Sequence, residues 1–392
     1  FFFKQKTAYE MPKWLEFRRV LFRSYVLSYP TPVLNLYSIA SYTKDTIVIN
    51  FSGSFSYVTI TRNGAYITPN PVFSPLIDAS LNGNTTYNYV ITPYDGNGNS
   101  GTASNTLTVT TLPGITTITS STTTTSAAIM YTGYFNYVKV YRNNVLISPN
   151  YTIKTYYDYN LVVDMSYLYT VVPYSSLDIS GEAVNVIAYT LPNMTSITFG
   201  AITQTSIVVN FYGLYDFVTI KRNGTTIATN LNANTITDIS LSASTAYTYI
   251  ITPYNKSNYI GSDISATTYT LSTLTSSSVT NVGSNSATVN FTGAFNYVII
   301  NKNNNNILPY VFSGTSYIDT YVNPNTTYTY IVTSYNKNNV AGQLSSNIVI
   351  VTKPTLTSLK FAQVTGNTTT LIFTGAFQYV NITRNGTAIA TN

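Results

Sequence analysis

Histidine and cysteine are both absent from the 392 residues, and only 8% of the chain is charged. Without Cys there are no disulfides and no thiolate nucleophiles. Without His, the Ser-His-Asp triad and His-based zinc sites go as well. No apolar run approaches the ~20 residues that span a membrane as a helix. Few charges do not mean disorder here, because 44% of the chain is hydrophobic, far too much for a chain that stays unfolded. What is present in quantity is Tyr (37 residues), Thr, Asn and Ile, punctuated by Gly and Pro. These residues suit strands and turns. With no disulfide available, each domain must stand on its own core.

The formal net charge of +6 is misleading. Residues Phe1–Ser24 carry the only Trp and six of the 19 basic residues. Lys4–Glu10 (KQKTAYE) and Leu15–Ser24 (LEFRRVLFRS) are similar to a translated sequencing adaptor, in the adaptor's own order. Trp14 falls where the adaptor has a TGA codon. The segment is therefore expected to be adaptor contamination on a metagenomic fragment and to form no domain. The remaining 13 basic and 11 acidic residues leave a net charge of +2. No nucleic-acid partner and no membrane insertion are expected from that balance.

A repeat governs the rest. FSGSFSYV begins at Phe51, YTGYFNYV at Tyr131, FYGLYDFV at Phe211, FTGAFNYV at Phe291 and FTGAFQYV at Phe373, at spacings of 80, 80, 80 and 82 residues. Asp78, Asp158, Asp238 and Asp319 keep the same beat, as do Gly101, Gly181, Gly261 and Gly342. Period-two alternation, as in Ile47, Ile49 and Phe51, predicts strands with one buried face. Asn63-Gly64, Asn223-Gly224 and Asn385-Gly386 predict two-residue hairpin turns, with Asn-Asn pairs at 143 and 303 in the same role. A later strand carries Tyr87, Tyr89 and Ile91 inward, and its copies are Tyr167, Tyr247 and Tyr328 with their alternate neighbours. Leu81, Leu161, Leu241 and Val322 each stand six residues before the first of these tyrosines. Many short strands at regular spacing predict an all-β sandwich.

The Leu-x5-Tyr-x-Tyr-x-Ile pattern resembles the tyrosine corner that leads into strand F of a fibronectin type III domain. The Gly-containing loop Asp95–Gly101 is similar to bacterial members, and the resemblance spans residues 32 to 392. Where the family has a Trp on strand B, this chain has Phe51, Tyr131, Phe211, Phe291 and Phe373. The resemblance implies tandem seven-stranded, immunoglobulin-like β-sandwiches arranged as beads on a string. Joints at Leu112-Pro113, Leu191-Pro192 and Lys353-Pro354, with one lacking Pro at Ser272-Thr273, divide the chain into repeats at 32–112, 113–191, 192–272 and 273–354. Residues 25–31 read as the last strand of a preceding repeat, and 355–392 as a truncated fifth one.

Candidate sites are few. A glycosidase needs two carboxylates around one bond, and the recurrent aspartates supply one per repeat. They are expected to be turn residues accepting backbone hydrogen bonds. Asp95–Asn99 has oxygen side chains at alternate positions but lacks the bidentate Glu of a calcium loop, so a plain turn is expected. No catalytic residue, metal or cofactor is expected. The one set of ligand contacts proposed from sequence is Tyr94, Tyr174, Tyr254 and Tyr335, which parity places on the outer face at the end of strand F. Such rings can bind a glycan or a surface protein through avidity, or simply pair across strands.

The expected function is a non-catalytic structural or adhesive stalk, extracellular on a cell or virion surface. The alternatives are an accessory region of a secreted enzyme, and a phage or large-virus fibre or decoration protein.

Overall fold

The computed structural model describes residues 30–68, 73–307 and 312–390. The adaptor-like segment, and residues 25–29 of the expected strand remnant at 25–31, lie outside the described residues. Every regular element among the described residues is a β-strand. No helix there is long and apolar enough to cross a membrane.

In the first repeat, strands run at Val33–Tyr42 (β1), Ile47–Ser54 (β2), Tyr57–Arg62 (β3), Ala65–Thr68 (β4), Leu76–Asp78 (β5), Thr86–Tyr94 (β6) and Leu107–Thr110 (β7). They form two antiparallel sheets, in the order β1-β2-β5 and β4-β3-β6-β7. The second and third repeats reproduce both sheets strand for strand. The fourth does too, with its equivalent of β7 divided into Ala341–Leu344 and Ile348–Val351.

The alternation in the sequence is what closes each sandwich. Ile47, Ile49 and Phe51 from one sheet meet Val58, Ile60, Tyr89 and Ile91 from the other, all at most 4% exposed. Phe211 and Phe291 are wholly buried in the same position. A large aromatic thus fills the inter-sheet space, and its truncation to Ala would cost ~3–5 kcal/mol.

The turn chemistry follows expectation. Asn63 and Gly64 have φ of 52° and 83°, and Asn143 and Asn144 have 48° and 67°. Positive φ at both central residues suits a two-residue hairpin. The turn asparagine has a second task, since Asn63 Oδ1 accepts the backbone N–H of Asn88 at the start of β6. Asn143, Asn223 and Asn303 do the same in their repeats.

Two recurrent glycines are explained by close approach of backbone. At Gly53 a Cβ would lie on the Val33 carbonyl oxygen, where β1 and β2 shift register. At Gly101 it would strike the Pro32 carbonyl oxygen, and at Gly261 that of Pro192.

Three residues separate the strands of successive repeats: 111–113, 190–192, 270–272 and 352–354. The first of each three is a buried threonine. Its hydroxyl donates to a carbonyl in the preceding repeat and accepts an N–H from the same loop, as Thr190 does with Val162 and Met165. The next residue bonds the turn after the first strand, as Leu191 N–H does to the Thr123 carbonyl. Each joint is stitched to the sandwich that precedes it.

The chain groups into two compact units. One runs to Ser121 and takes in Ala127–Asp158 and Tyr167–Ala188. The other holds Thr122–Ser126, Tyr159–Ser166 and everything from Tyr189 on. Residues 355–390 form only two two-stranded sheets, Thr355–Val364 with Thr369–Ala376 and Ile382–Arg384 with Thr387–Ala390. Phe373, Val380 and Ile382 are only half-buried there, around a cavity of about 820 Å³.

Candidate functional site

Two constellations recur in every complete repeat: one inside the sandwich, one on its outer face.

The inner one is built on the recurrent aspartates. Asp78 ends β5, in one sheet, whereas its partners Arg62 on β3 and Tyr89 on β6 belong to the other. Arg62 Nη1 donates to both carboxylate oxygens, at 2.8 and 3.0 Å, and the Tyr89 hydroxyl donates at 2.7 Å. Asp158 is held likewise by Arg142 and Tyr169, and Asp238 by Arg222 and Tyr249. In the fourth repeat Lys302 replaces Arg, 2.8 Å from Asp319, and Tyr330 donates at 2.7 Å. The expectation that these aspartates cap turns is therefore corrected. They cross-link the two sheets, and Asp319 also accepts a backbone N–H, from Tyr321.

The cations do double duty. Arg62 lies over the ring of Tyr87 at 5.7 Å, with the same pairing at Tyr167, Tyr247 and Tyr328. The Tyr87 hydroxyl accepts the N–H of Asn82, five residues upstream, and Tyr247 and Tyr328 do the same. That is the geometry of a tyrosine corner.

Electrostatics moves the phenols of this set upward and the Asp319 carboxyl downward. Burial, then the hydrogen bond to Asp78, pushes the Tyr89 phenol far above its usual value, and Tyr169, Tyr249 and Tyr330 follow suit. Burial works to raise Asp319, but hydrogen bonds from Lys302, Tyr330 and the Tyr321 N–H outweigh it and hold the carboxyl below its usual value. Each of these carboxylates is thus bound by a cation and a phenol from the facing sheet. The arrangement serves as a lock.

The outer constellation contains the candidate tyrosines. Tyr94 alternates with buried Ile91, Pro93 and Asp95 and stands half-buried on the other side of the strand. It does not stand alone. Tyr57, directly opposite in register, stacks on it with centroids 5.0 Å apart and planes 1° from parallel. Tyr174 stacks with Tyr137 at 5.1 Å, Tyr254 with Phe217 at 5.2 Å, and Tyr335 with Tyr297 at 4.9 Å. Lys139 Nζ lies 4.4 Å from the Tyr174 ring centre. Two of the partner rings are themselves pinned, since the Tyr137 hydroxyl donates to Asp178 and that of Tyr297 to Asn339. One flat face of each candidate ring is thus already covered.

The loop after β6 is organised by its first residue. Asp95 accepts N–H groups of Asn97 and Asn99 and the side-chain amide of Asn99. Those bonds, led by the Asn99 amide, lower its pKa. Ser175, Asn255 and Asn336 accept equivalent N–H groups. Among the described residues no group of three acidic side chains could hold a metal.

Parity along a single strand identifies neither the cation of the inner lock nor which ring stacks on each outer tyrosine. Both had a signal: Arg62, Arg142, Arg222 and Lys302 recur just before the hairpin turn, and an aromatic recurs at 57, 137, 217 and 297.

No family model and no curated protein matches the chain. Solved structures it is similar to include the central fibronectin-III array of RIM-binding protein, at 12% identity over 61% of this chain and 97% of that one, with a TM-score of 0.20. The FN1–FN3 domains of chicken CNTN1 align at 15% identity over 62% and 98% of the two chains, with a TM-score of 0.25. A two-domain fibronectin type III segment of chicken tenascin aligns at 13% over 40% and 99%, with a TM-score of 0.32. At such scores the fold assignment rests on the strand order instead. Three strands facing four, with the aromatic plug and the tyrosine corner between them, define it. In fold, the chain is a tandem array of fibronectin type III-like, immunoglobulin-like β-sandwiches.

Proposed function

We propose that the chain is a non-catalytic spacer, a structural or adhesive stalk of an extracellular surface protein on a cell or virion. The observation that carries this reading is where its polar chemistry is spent. The recurrent acidic, cationic and phenolic groups lock each sandwich internally, and the joints are three residues long and bonded to the preceding sandwich. Polar groups spent on holding sheets and joints together suit a part that transmits load.

Stretching the full chain at single-molecule level tests the reading. At ~3.4 Å per extended residue, each ~80-residue repeat should release roughly 25 nm in its own step. Smooth extension without resistive steps would count against a load-bearing role.

An adhesive contribution follows from the outer rings. Stacked pairs on each of four repeats offer a ladder of apolar edges, each weak and useful together to a glycan or surface protein whose spacing matches. Changing Tyr94, Tyr174, Tyr254 and Tyr335 to Ser should abolish retention on a glycan array or host surface material. Retention unchanged by the substitutions would remove the ladder from the proposal.

A further inference from the structure

The four joints present one pair of positions four times, and at one of them the chemistry changes. At the first joint Asn84, in the loop before β6, donates from its side-chain amide to the Asn136 side-chain oxygen at 2.9 Å. Eighty residues on, the same two positions are Asp164 and Asp216. At the third and fourth joints they are Ser244 with Asn296 and Asn325 with Gln378. Only the second joint sets a carboxylate at both positions.

Two carboxylates cannot repeat an amide–amide bond while both are ionised. The structure shows the consequence. Asp164 Oδ1 is buried with no hydrogen-bond partner. Asp164 and Asp216 line one cavity of about 220 Å³, together with Tyr189, Asn255 and Lys256. Tyr189 stacks on Tyr259 beside it, at 5.5 Å. Asp216 is the fixed partner: Oδ2 accepts the Lys256 N–H at 2.7 Å, and Lys256 Nζ lies 3.7 Å from Oδ1. Asn255 is spent on its own loop, accepting N–H groups of Ser257 and Tyr259. Of the charged groups around the cavity, Asp216 thus repels the Asp164 carboxylate and Lys256 is already engaged.

We infer that the contact between the loop bearing Asp164 and the turn bearing Asp216 is strengthened by acid, because protonated Asp164 can donate to Asp216 and so restore the bond that Asn84 makes to Asn136. The proton comes from solvent and leaves to it; no other group changes state. Burial, with the Asp216 charge second, pushes the Asp164 carboxyl up to about 6, and Lys256 opposes this only in part. A carboxyl with a raised folded value favours the folded contact most at low pH. The advantage declines as pH climbs from the ordinary 3.8 and is gone above about 6.

The test uses the full chain. Carboxyl-carbon NMR should find one group titrating near 6 that disappears in Asp164→Asn and moves toward the ordinary ~4 in Asp216→Asn. Both substitutions copy residues that the first joint carries natively, so the variants are expected to fold. Amide exchange at residues 161–166 and 214–217, corrected for intrinsic rates, should slow about tenfold or more between pH 8 and pH 5 in the wild type. It should be slow at both pH values in the Asp164→Asn, Asp216→Asn double variant. The inference is overturned if no carboxyl titrates above pH 5, or if the pH dependence survives in Asp164→Asn. Calcium at pH 7.5 slowing exchange as much as acid does would also overturn it, in favour of a cation bridge.

Discussion

At Asp238 a single carboxylate joins two sheets: Arg222 and Tyr249 both donate to it at 2.7 Å from the sheet opposite. Removing a buried charge from water is expensive, and a buried ion pair recovers the cost only with good geometry and further hydrogen bonds. Here the phenol supplies the further bond. The economy is asymmetric, because losing one partner leaves the other buried and unsatisfied. Tyr249→Phe, which deletes one oxygen and no volume, is expected to destabilise the third repeat by ~1–3 kcal/mol. Urea unfolding checks it, and a change below ~0.5 kcal/mol, the level of an indifferent surface substitution, would show the bond to be idle.

At the scale of elements, the tightest constraint is backbone against backbone. The segment after β6 must pass the start of β1 so closely that only Gly fits, as Gly101 does against Pro32 and Gly261 against Pro192. Gly261→Ala forces one of the two segments to shift. A penalty of ~1–3 kcal/mol is expected, as for other overpacked sites. Gly64→Ala meets no neighbouring atom but must hold φ at 83°, so it is penalised by backbone strain instead. Thermal unfolding of the two variants, with Gly366→Ala as the unconstrained control, separates the causes. Equal melting of Gly261→Ala and the control would contradict the close approach.

For the whole molecule, the charges that matter are few and oppose one another in their pH response. Asp319 has a lowered value when folded. Its stabilisation is complete above the unfolded value of 3.8 and is lost as pH falls below that, through the still lower folded value. Asp164 behaves in the opposite sense around about 6. The fourth repeat is therefore expected to melt progressively earlier below about pH 4, while Asp319→Asn flattens that decline. Calorimetry at a series of pH values follows it, and an acid decline of equal size in the variant would show that Asp319 is not its source.

The repeat, the alternation of Ile47, Ile49 and Phe51, the Asn-Gly turns and the tyrosine corner were all legible in the sequence. They depend on neighbours along the chain, and local periodicity and turn conformation are written at that range. The division of strands into three facing four is a tertiary matter. So are the carboxylate that crosses between the sheets, the rings that stack on Tyr94 and its copies, and the glycines that clear a carbonyl seventy residues away. Each pairs residues far apart in sequence, and a period of 80 repeats both members without saying that they touch. The second joint is the sharpest instance. Asp164 and Asp216 are unremarkable as letters, and only their placement on one cavity makes a proton the missing part.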